Sequence, residues 1–222
     1  MSRQYDNPAQ LFAVNESNRA LFIVAQHDGC KWADECRLVK DLCRATRAET
    51  GLWSAMARVG YGRSKRTLLM FEAQQGRLDR VQWLLARGAP KDARDYLGST
   101  ALLWASESGH TETVLALIAA GAGVNIASHS GWTPLLHASY HGHVDIVRAL
   151  IAAGAGVDIA NENYGTPLHF ASENGRTETV RALIAAGAGV NIVSSYGWTP
   201  LHYASHFGHN EVVRALRDAG GI

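Results

Sequence analysis

The C-terminal two thirds of the chain repeat with a period of 33 residues. A fixed period of this length indicates one supersecondary unit copied along the chain. Because such a unit cannot bury its own apolar face, successive copies must stack on one another. The repeat therefore predicts an elongated array and favours recognition of another molecule over catalysis. Three sets of residues keep the interval: Thr100, Thr133, Thr166 and Thr199; Gly109, Gly142, Gly175 and Gly208; and Gly121, Gly154, Gly187 and Gly220.

The copy at 133–165 shows the local chemistry of the unit. Thr133 suits a helix N-cap because its hydroxyl can accept from an unpaired backbone N–H, and proline suits the first helical position after it. This first helix is predicted to end before Gly142. An apolar stripe then predicts a second helix over about 144–153. The remaining residues, with turn-forming Asn and Gly, predict a short hairpin-like finger.

The repeated motifs are specific enough to suggest a family. They are Thr-Pro-Leu-His at 166–169 and 199–202, Gly-His at 109–110, 142–143 and 208–209, and Gly-Ala-Gly-Val-Asn at 121–125 and 187–191. This pattern resembles the ankyrin repeat over about 67–222. The resemblance implies an all-α, ankyrin-type α-solenoid of stacked helix-turn-helix repeats joined by short β-turn fingers. The expected copies are 67–99, 100–132, 133–165, 166–198 and a C-terminal cap at 199–222.

Some positions depart from the repeat. Glu72 stands where the other copies have alanine, and Leu136 takes the histidine position of its copy. Tyr164-Gly165 inverts the Gly-aromatic order of the neighbouring fingers, which leaves the conformation of that finger open. Arg217 and Asp218 replace Ile and Ala in the last helix. A polar outer face is typical of a terminal repeat, so we expect a cap there.

Residues 1–66 carry a weaker version of the pattern. The stretch 20–29 aligns with 100–109, and helical spacing of apolar residues follows it. Since Gly29 and Gly76 lie 47 residues apart, 14 more than one period, we expect a degenerate capping repeat with an insertion near 45–66. An unrelated helical segment packed on the first repeat is the alternative.

Charge and cysteine content suggest the cellular compartment of the chain and the kinds of partner it could bind. Residues 1–66 hold 11 Lys/Arg and 7 Asp/Glu, against 10 and 13 in 67–222, so neither part requires nucleic acid. Three clustered cysteines form a poor disulfide framework, and no long apolar run indicates a leader or a membrane span. We expect a cytoplasmic chain, monomeric on its own, that does not bind a membrane. The basic segment 37–66 supports a second hypothesis, a regulatory or targeting subunit that contacts an acidic protein, RNA or an anionic surface.

Catalytic and metal-binding signals are weak in the sequence. His137 and His141 share a helix face, with His143 nearby, but no carboxylate or third ligand is spaced to complete a zinc site. Neither nucleotide-binding fingerprint is present, nor is a hydrolase or zinc-protease motif. We therefore expect no enzyme activity, cofactor or metal.

Aromatic side chains give the sharper functional signal. In ankyrin-like proteins, the finger tips and the exposed side of each first helix form a concave binding face. Aromatic residues on an otherwise polar face are typical of binding hot spots. For one column of rings in the first helices, packing between copies explains the residues as well as binding does, whereas binding is favoured for the finger residues Trp132 and Trp198. This first-helix ring column consists of Phe71, Trp104, His137, Phe170 and Tyr203. The function predicted is non-catalytic protein–protein recognition, as an adaptor or scaffold. The candidate contact residues are Trp104, Trp132, Tyr140, His141, Phe170, Tyr196, Trp198, Tyr203, His206 and Phe207.

Overall fold

The computed structural model describes residues 66–162 and 165–222, and these residues contain ten helices and no strand. None of these helices combines the length and the apolar character needed to cross a bilayer. The helices are α1 (Leu68–Gln74), α2 (Leu78–Ala86), α3 (Ala101–Ser108), α4 (Thr111–Ala119), α5 (Pro134–His141), α6 (Val144–Ala152), α7 (Pro167–Glu173), α8 (Thr177–Ala185), α9 (Pro200–His206) and α10 (Asn210–Asp218).

The helices form five antiparallel pairs that stack in chain order. Within a pair the two helices pack on each other, and each first helix also packs on the first helix of the next pair. The second helices form a parallel row in the same way. One continuous apolar core runs through the described stack, built mainly of buried leucine, valine and alanine. The predicted all-α solenoid is confirmed.

The ends of the first helices follow the capping chemistry of the sequence. The Thr133 hydroxyl accepts from the N–H of Leu136 at 3.2 Å, and Pro134 occupies the first helical turn. Gly142 ends the helix in the left-handed conformation at φ 81°, which glycine adopts without steric cost. The second helix of this copy begins at Val144 and ends at Ala152, one residue before the predicted end.

Two kinds of polar contact join each copy to the next. The imidazoles of the Gly-His turns donate to a main-chain carbonyl of the preceding copy, as His110 does to Gln74 at 2.9 Å and His209 to Glu173 at 2.9 Å. In the loops after the second helices, an Asp or Asn side chain accepts from a main-chain N–H of the following copy. The side chain of Asn125, for example, accepts from Gly156 at 2.9 Å.

The fingers are tight turns that stack through their main chains. Each described finger is closed by a main-chain bond, such as Ser128 N–H to the Trp132 carbonyl at 2.8 Å. Between fingers, the N–H of His129 donates to the Leu97 carbonyl at 2.8 Å, and that of Glu162 to Ser130 at 3.3 Å. The sequence predicted a hairpin-like finger, and each described finger is closed across its ends by a single main-chain bond instead of a ladder of them.

The positions that depart from the repeat have clear structural settings. Glu72 is fully buried at the alanine position of the first copy, and its carboxylate pairs with Arg77 at 3.5 Å and Arg80 at 3.3 Å. Gly165 closes its finger by accepting from Asn161 N–H at 3.2 Å, without the positive φ of the other finger glycines. Tyr164, Asn163 and the N-terminal repeat expected before residue 66 lie outside the described residues.

Candidate binding groove

A groove of about 570 Å³ opens between the last copies of the stack. Its walls come from helices α7 and α9 and from the fingers that precede α5, α7 and α9. Second helices contribute nothing to its lining. The lining residues, most of them aromatic or polar, are Trp132, Asn161, Gly165, His169, Phe170, Glu173, Ser194, Tyr196, Trp198 and Tyr203. We call this feature the aromatic groove.

The first ring cluster of the aromatic groove centres on Trp132. Its indole lies 4.8 Å from the His137 ring, 4.8 Å from Phe170 and 5.9 Å from Tyr140, measured between centroids. Trp132 is half-buried and bridges α5 and α7. The ring therefore packs between copies and also forms part of the groove wall.

The second ring cluster lies at the other end of the groove. Trp198 packs 5.1 Å from Tyr203 and 4.9 Å from His206, and His206 packs 5.0 Å from Phe207. The Tyr203 hydroxyl lies 3.2 Å from the Ser194 hydroxyl, which ties α9 to its own finger. This cluster continues the aromatic surface past the groove to the end of α9.

Three of the aromatic side chains in or beside the groove are exposed to solvent. Tyr196 is 73% exposed at a finger tip, Phe207 is 49% exposed after α9, and Tyr140 is 38% exposed near the end of α5. An exposed aromatic surface next to a polar-rimmed groove is typical of protein-binding sites. These rings are available for a partner without any rearrangement of the stack.

Trp104, the second member of the first-helix ring column, lies outside the aromatic groove. Its Nε1–H donates to a carboxylate oxygen of Asp95 at 3.1 Å, and the Arg66 guanidinium covers its face at 3.6 Å from the ring centroid. The indole N–H and one ring face of Trp104 therefore already have partners, Asp95 and Arg66. Arg66 is also the one described residue of the basic segment 37–66, and the rest of that segment lies outside the described residues.

The groove collects five of the ten predicted contact residues, which are Trp132, Phe170, Tyr196, Trp198 and Tyr203. The exposed or half-buried ends of α5 and α9 hold Tyr140, His141, His206 and Phe207 beside it. Sequence reasoning missed the other five lining residues, Asn161, Gly165, His169, Glu173 and Ser194. His169 was considered only as part of the Thr-Pro-Leu-His motif. A signal for Glu173 was available, because its column of the repeat varies, with Glu107, Tyr140 and His206 at the equivalent positions.

His169 is a buried polar link between helix α7 and the following finger. Its Nδ1 lies 3.2 Å from the Thr166 N–H, which donates to it, and its Nε2 donates to the Trp198 carbonyl at 3.2 Å. Burial lowers the pKa of His169, and the bond to the Trp198 carbonyl opposes that shift. A neutral imidazole therefore holds Trp198 in place as the groove wall.

The expectation that no carboxylate accompanies the two α5 histidines is wrong. Glu107, from the preceding copy, brings a carboxylate oxygen within 4.8 Å of the donor nitrogens of His137 and His141. Sequence spacing did not reveal this group because it reaches the histidines across the packed helices α3 and α5. Burial raises the pKa of Glu107, and burial lowers the pKa of His137 to about 4. Of the described residues, these three are the ones that could hold a metal ion.

Comparison with known proteins agrees with this geometry. A family model described as ankyrin repeats (3 copies) matches residues 69–161 and again 150–222. A search of curated proteins finds no match. The matched ranges cover most of the chain and all ten described helices except Leu68, the first residue of α1. The chain therefore belongs to the ankyrin repeat family.

Proposed function

We propose that this protein is a non-catalytic adaptor or scaffold that binds another protein through the aromatic groove and the finger tips beside it. Ankyrin repeats generally mediate protein–protein interaction. The observation that carries the proposal is the aromatic groove itself, where two ring clusters and the exposed Tyr196 face one cleft between copies. Rigid aromatic rings supply large contact areas at low cost in side-chain entropy.

The groove chemistry favours a partner segment with apolar side chains and one basic side chain. Of the described residues that line the groove, Glu173 alone is acidic. Glu173 lines the same groove as Phe170, Trp198 and Tyr203, and the faces of aromatic rings attract cations through their quadrupoles. A lysine or arginine of the partner would meet both the rings and the carboxylate.

Affinity capture from native lysate with matched variants tests the proposal. Tyr196→Ala and Phe207→Ala remove exposed rings at the groove, whereas Leu115→Ala removes a side chain of similar exposure, 48%, from α4. We expect the partner bound by the unmodified chain to be lost from both groove variants and kept by Leu115→Ala, as quantified by mass spectrometry. Equal capture by all of these proteins would contradict the proposal.

A salt titration of the captured complex separates the groove from the basic segment. Binding through 37–66 would weaken steeply as ionic strength rises, because exposed charge pairs are screened within about 10 Å at 0.1 M salt. An aromatic groove should lose little affinity over the same range. A steep decline that Tyr196→Ala leaves unchanged would favour the targeting hypothesis instead.

A further inference from the structure

We propose that Glu107, His137 and His141 form a binding site for a divalent transition-metal ion of the zinc class. One donor atom from each side chain lies within 4.8 Å of the other two. Two imidazoles and one carboxylate are a donor set that zinc binds in proteins, with the remaining coordination position left open. The site lies beside the aromatic groove but shares no residue with its lining.

The helix geometry explains why these three groups converge. His137 and His141 are separated by one helical turn of α5, so both imidazoles leave the same face. Glu107 lies in the last turn of α3, the first helix of the preceding copy, which packs directly against α5. An ion held by all three side chains would therefore link two neighbouring copies.

The repeat itself shows that this convergence is not a general property of the fold. Glu173 occupies the position of Glu107 two copies later, but the positions equivalent to His137 and His141 there hold Tyr203 and Phe207. In the copies between, the three equivalent positions hold Tyr140, Phe170 and Asn174. Among the described copies, a full set of three donors occurs at this one interface.

Within the described part of the chain the two histidines of the site contact neighbouring rings, His137 packing 4.8 Å from Trp132 and His141 5.6 Å from His143, but the donor atoms of the three side chains are not held by hydrogen bonds. None of their donor atoms takes part in a hydrogen bond or an ion pair with another described residue.

Two cations lie near the three donors. Arg176 donates to the Tyr140 carbonyl at 3.4 Å and acts electrostatically on His141. Arg66 covers the Trp104 ring and acts electrostatically on Glu107. The donors can turn toward an ion without breaking a hydrogen bond, and the ion would bind in the field of these two cations.

The three donor atoms must move slightly closer together to bind one metal ion. Zinc binds imidazole nitrogen and carboxylate oxygen at about 2.0–2.2 Å, which places tetrahedral donors about 3.3 Å apart. Closing the present spacing requires rotation of partly exposed side chains, with the main chain of α3 and α5 unchanged. Because the ion binds the folded stack and joins two copies, it should raise the stability of the array by mass action.

Zinc titration of the untagged full chain, stripped with a chelator, tests the site. The variants are Glu107→Gln and His141→Ala, and the matched control is Glu173→Gln, which changes the equivalent position of a copy that lacks the histidines. Isothermal titration calorimetry should show binding weakened by about ten-fold or more in both site variants and unchanged in the control. Zinc should raise the melting temperature of the unmodified chain and of Glu173→Gln, and raise it less in the site variants.

A cobalt titration distinguishes this site from the cysteines near the N-terminus. Co²⁺ held by nitrogen and oxygen donors gives visible ligand-field bands without the thiolate charge-transfer band that cysteine ligands add. We expect those bands in the unmodified chain and their loss in His141→Ala, with helical circular dichroism retained. The proposal is overturned if zinc affinity is the same in all four proteins, or if the cobalt spectrum is that of a thiolate site in each of them.

Discussion

Gly131 and Gly197 occupy the same finger position two copies apart, and they offer a matched test of finger stacking. Both have positive φ, 78° and 75°. A Cβ at Gly131 would lie 2.9 Å from the Asn161 Cα and 2.9 Å from the Glu162 nitrogen, both in the main chain of the next finger. A Cβ at Gly197 would meet nothing within 4 Å.

The two alanine substitutions should therefore differ in cost. The left-handed conformation costs a non-glycine residue about 1–2 kcal/mol at either position. Forcing a Cβ against a packed main chain adds about 1–3 kcal/mol, and at Gly131 it also disturbs the bond from Glu162 N–H to the Ser130 carbonyl. We expect Gly131→Ala to lower the free energy of unfolding by about 2–5 kcal/mol and Gly197→Ala by about 1–2 kcal/mol.

Urea unfolding followed by circular dichroism measures both losses. The midpoint should fall further for Gly131→Ala, while the denaturant slope stays close to that of the unmodified chain. Equal midpoints for the two variants would mean that the finger after Gly131 does not lie against it. That result would refute the stacking of successive fingers.

Two further predictions concern the walls of the aromatic groove. Since burial holds the pKa of His169 below its usual value of about 6.5, the folded chain binds fewer protons than the unfolded one, and stability should fall as the pH drops below about 6.5. The test is His169→Leu, which places at this position the leucine that is buried as Leu136 in the preceding copy. The urea midpoints at about pH 7.5 and about pH 5.5 should differ less in this variant than in the unmodified chain. An unchanged difference would contradict a contribution of His169 protonation to the pH dependence of stability. Trp132→Ala should cost about 2 kcal/mol because the half-buried ring contacts three others, whereas Tyr196→Ala should change the free energy of unfolding by less than about 0.5 kcal/mol. Comparable losses in the two variants, measured by thermal unfolding, would show that Tyr196 is a packing residue.

The helices could be read from the sequence because their ends depend on local chemistry. Thr133 and Pro134 define the start of α5, and Gly142 defines its end, through groups within a few residues of one another. The second helix was predictable for a similar reason, as its apolar stripe faces the common core. The prediction extended it to Ala153, which instead caps the helix.

The candidate sites were less predictable because they depend on contacts between copies. Glu107 precedes His137 by 30 residues, and packing of α3 against α5 is what brings them together. Trp104 belongs to the same ring column as Phe170, but Asp95 and Arg66 engage it away from the groove. A shared column in the repeat therefore predicts a shared position, whereas the chemistry at that position depends on residues from neighbouring copies.

Amide hydrogen exchange at the fingers tests most directly whether the copies form one continuous stack. The His129 N–H donates to the Leu97 carbonyl of the preceding finger at 2.8 Å. We expect the His129 amide to exchange far more slowly than the amides of the same chain unfolded in urea, in residue-resolved NMR spectra. Exchange of the His129 amide at the rate of an unfolded chain would contradict the stacked array.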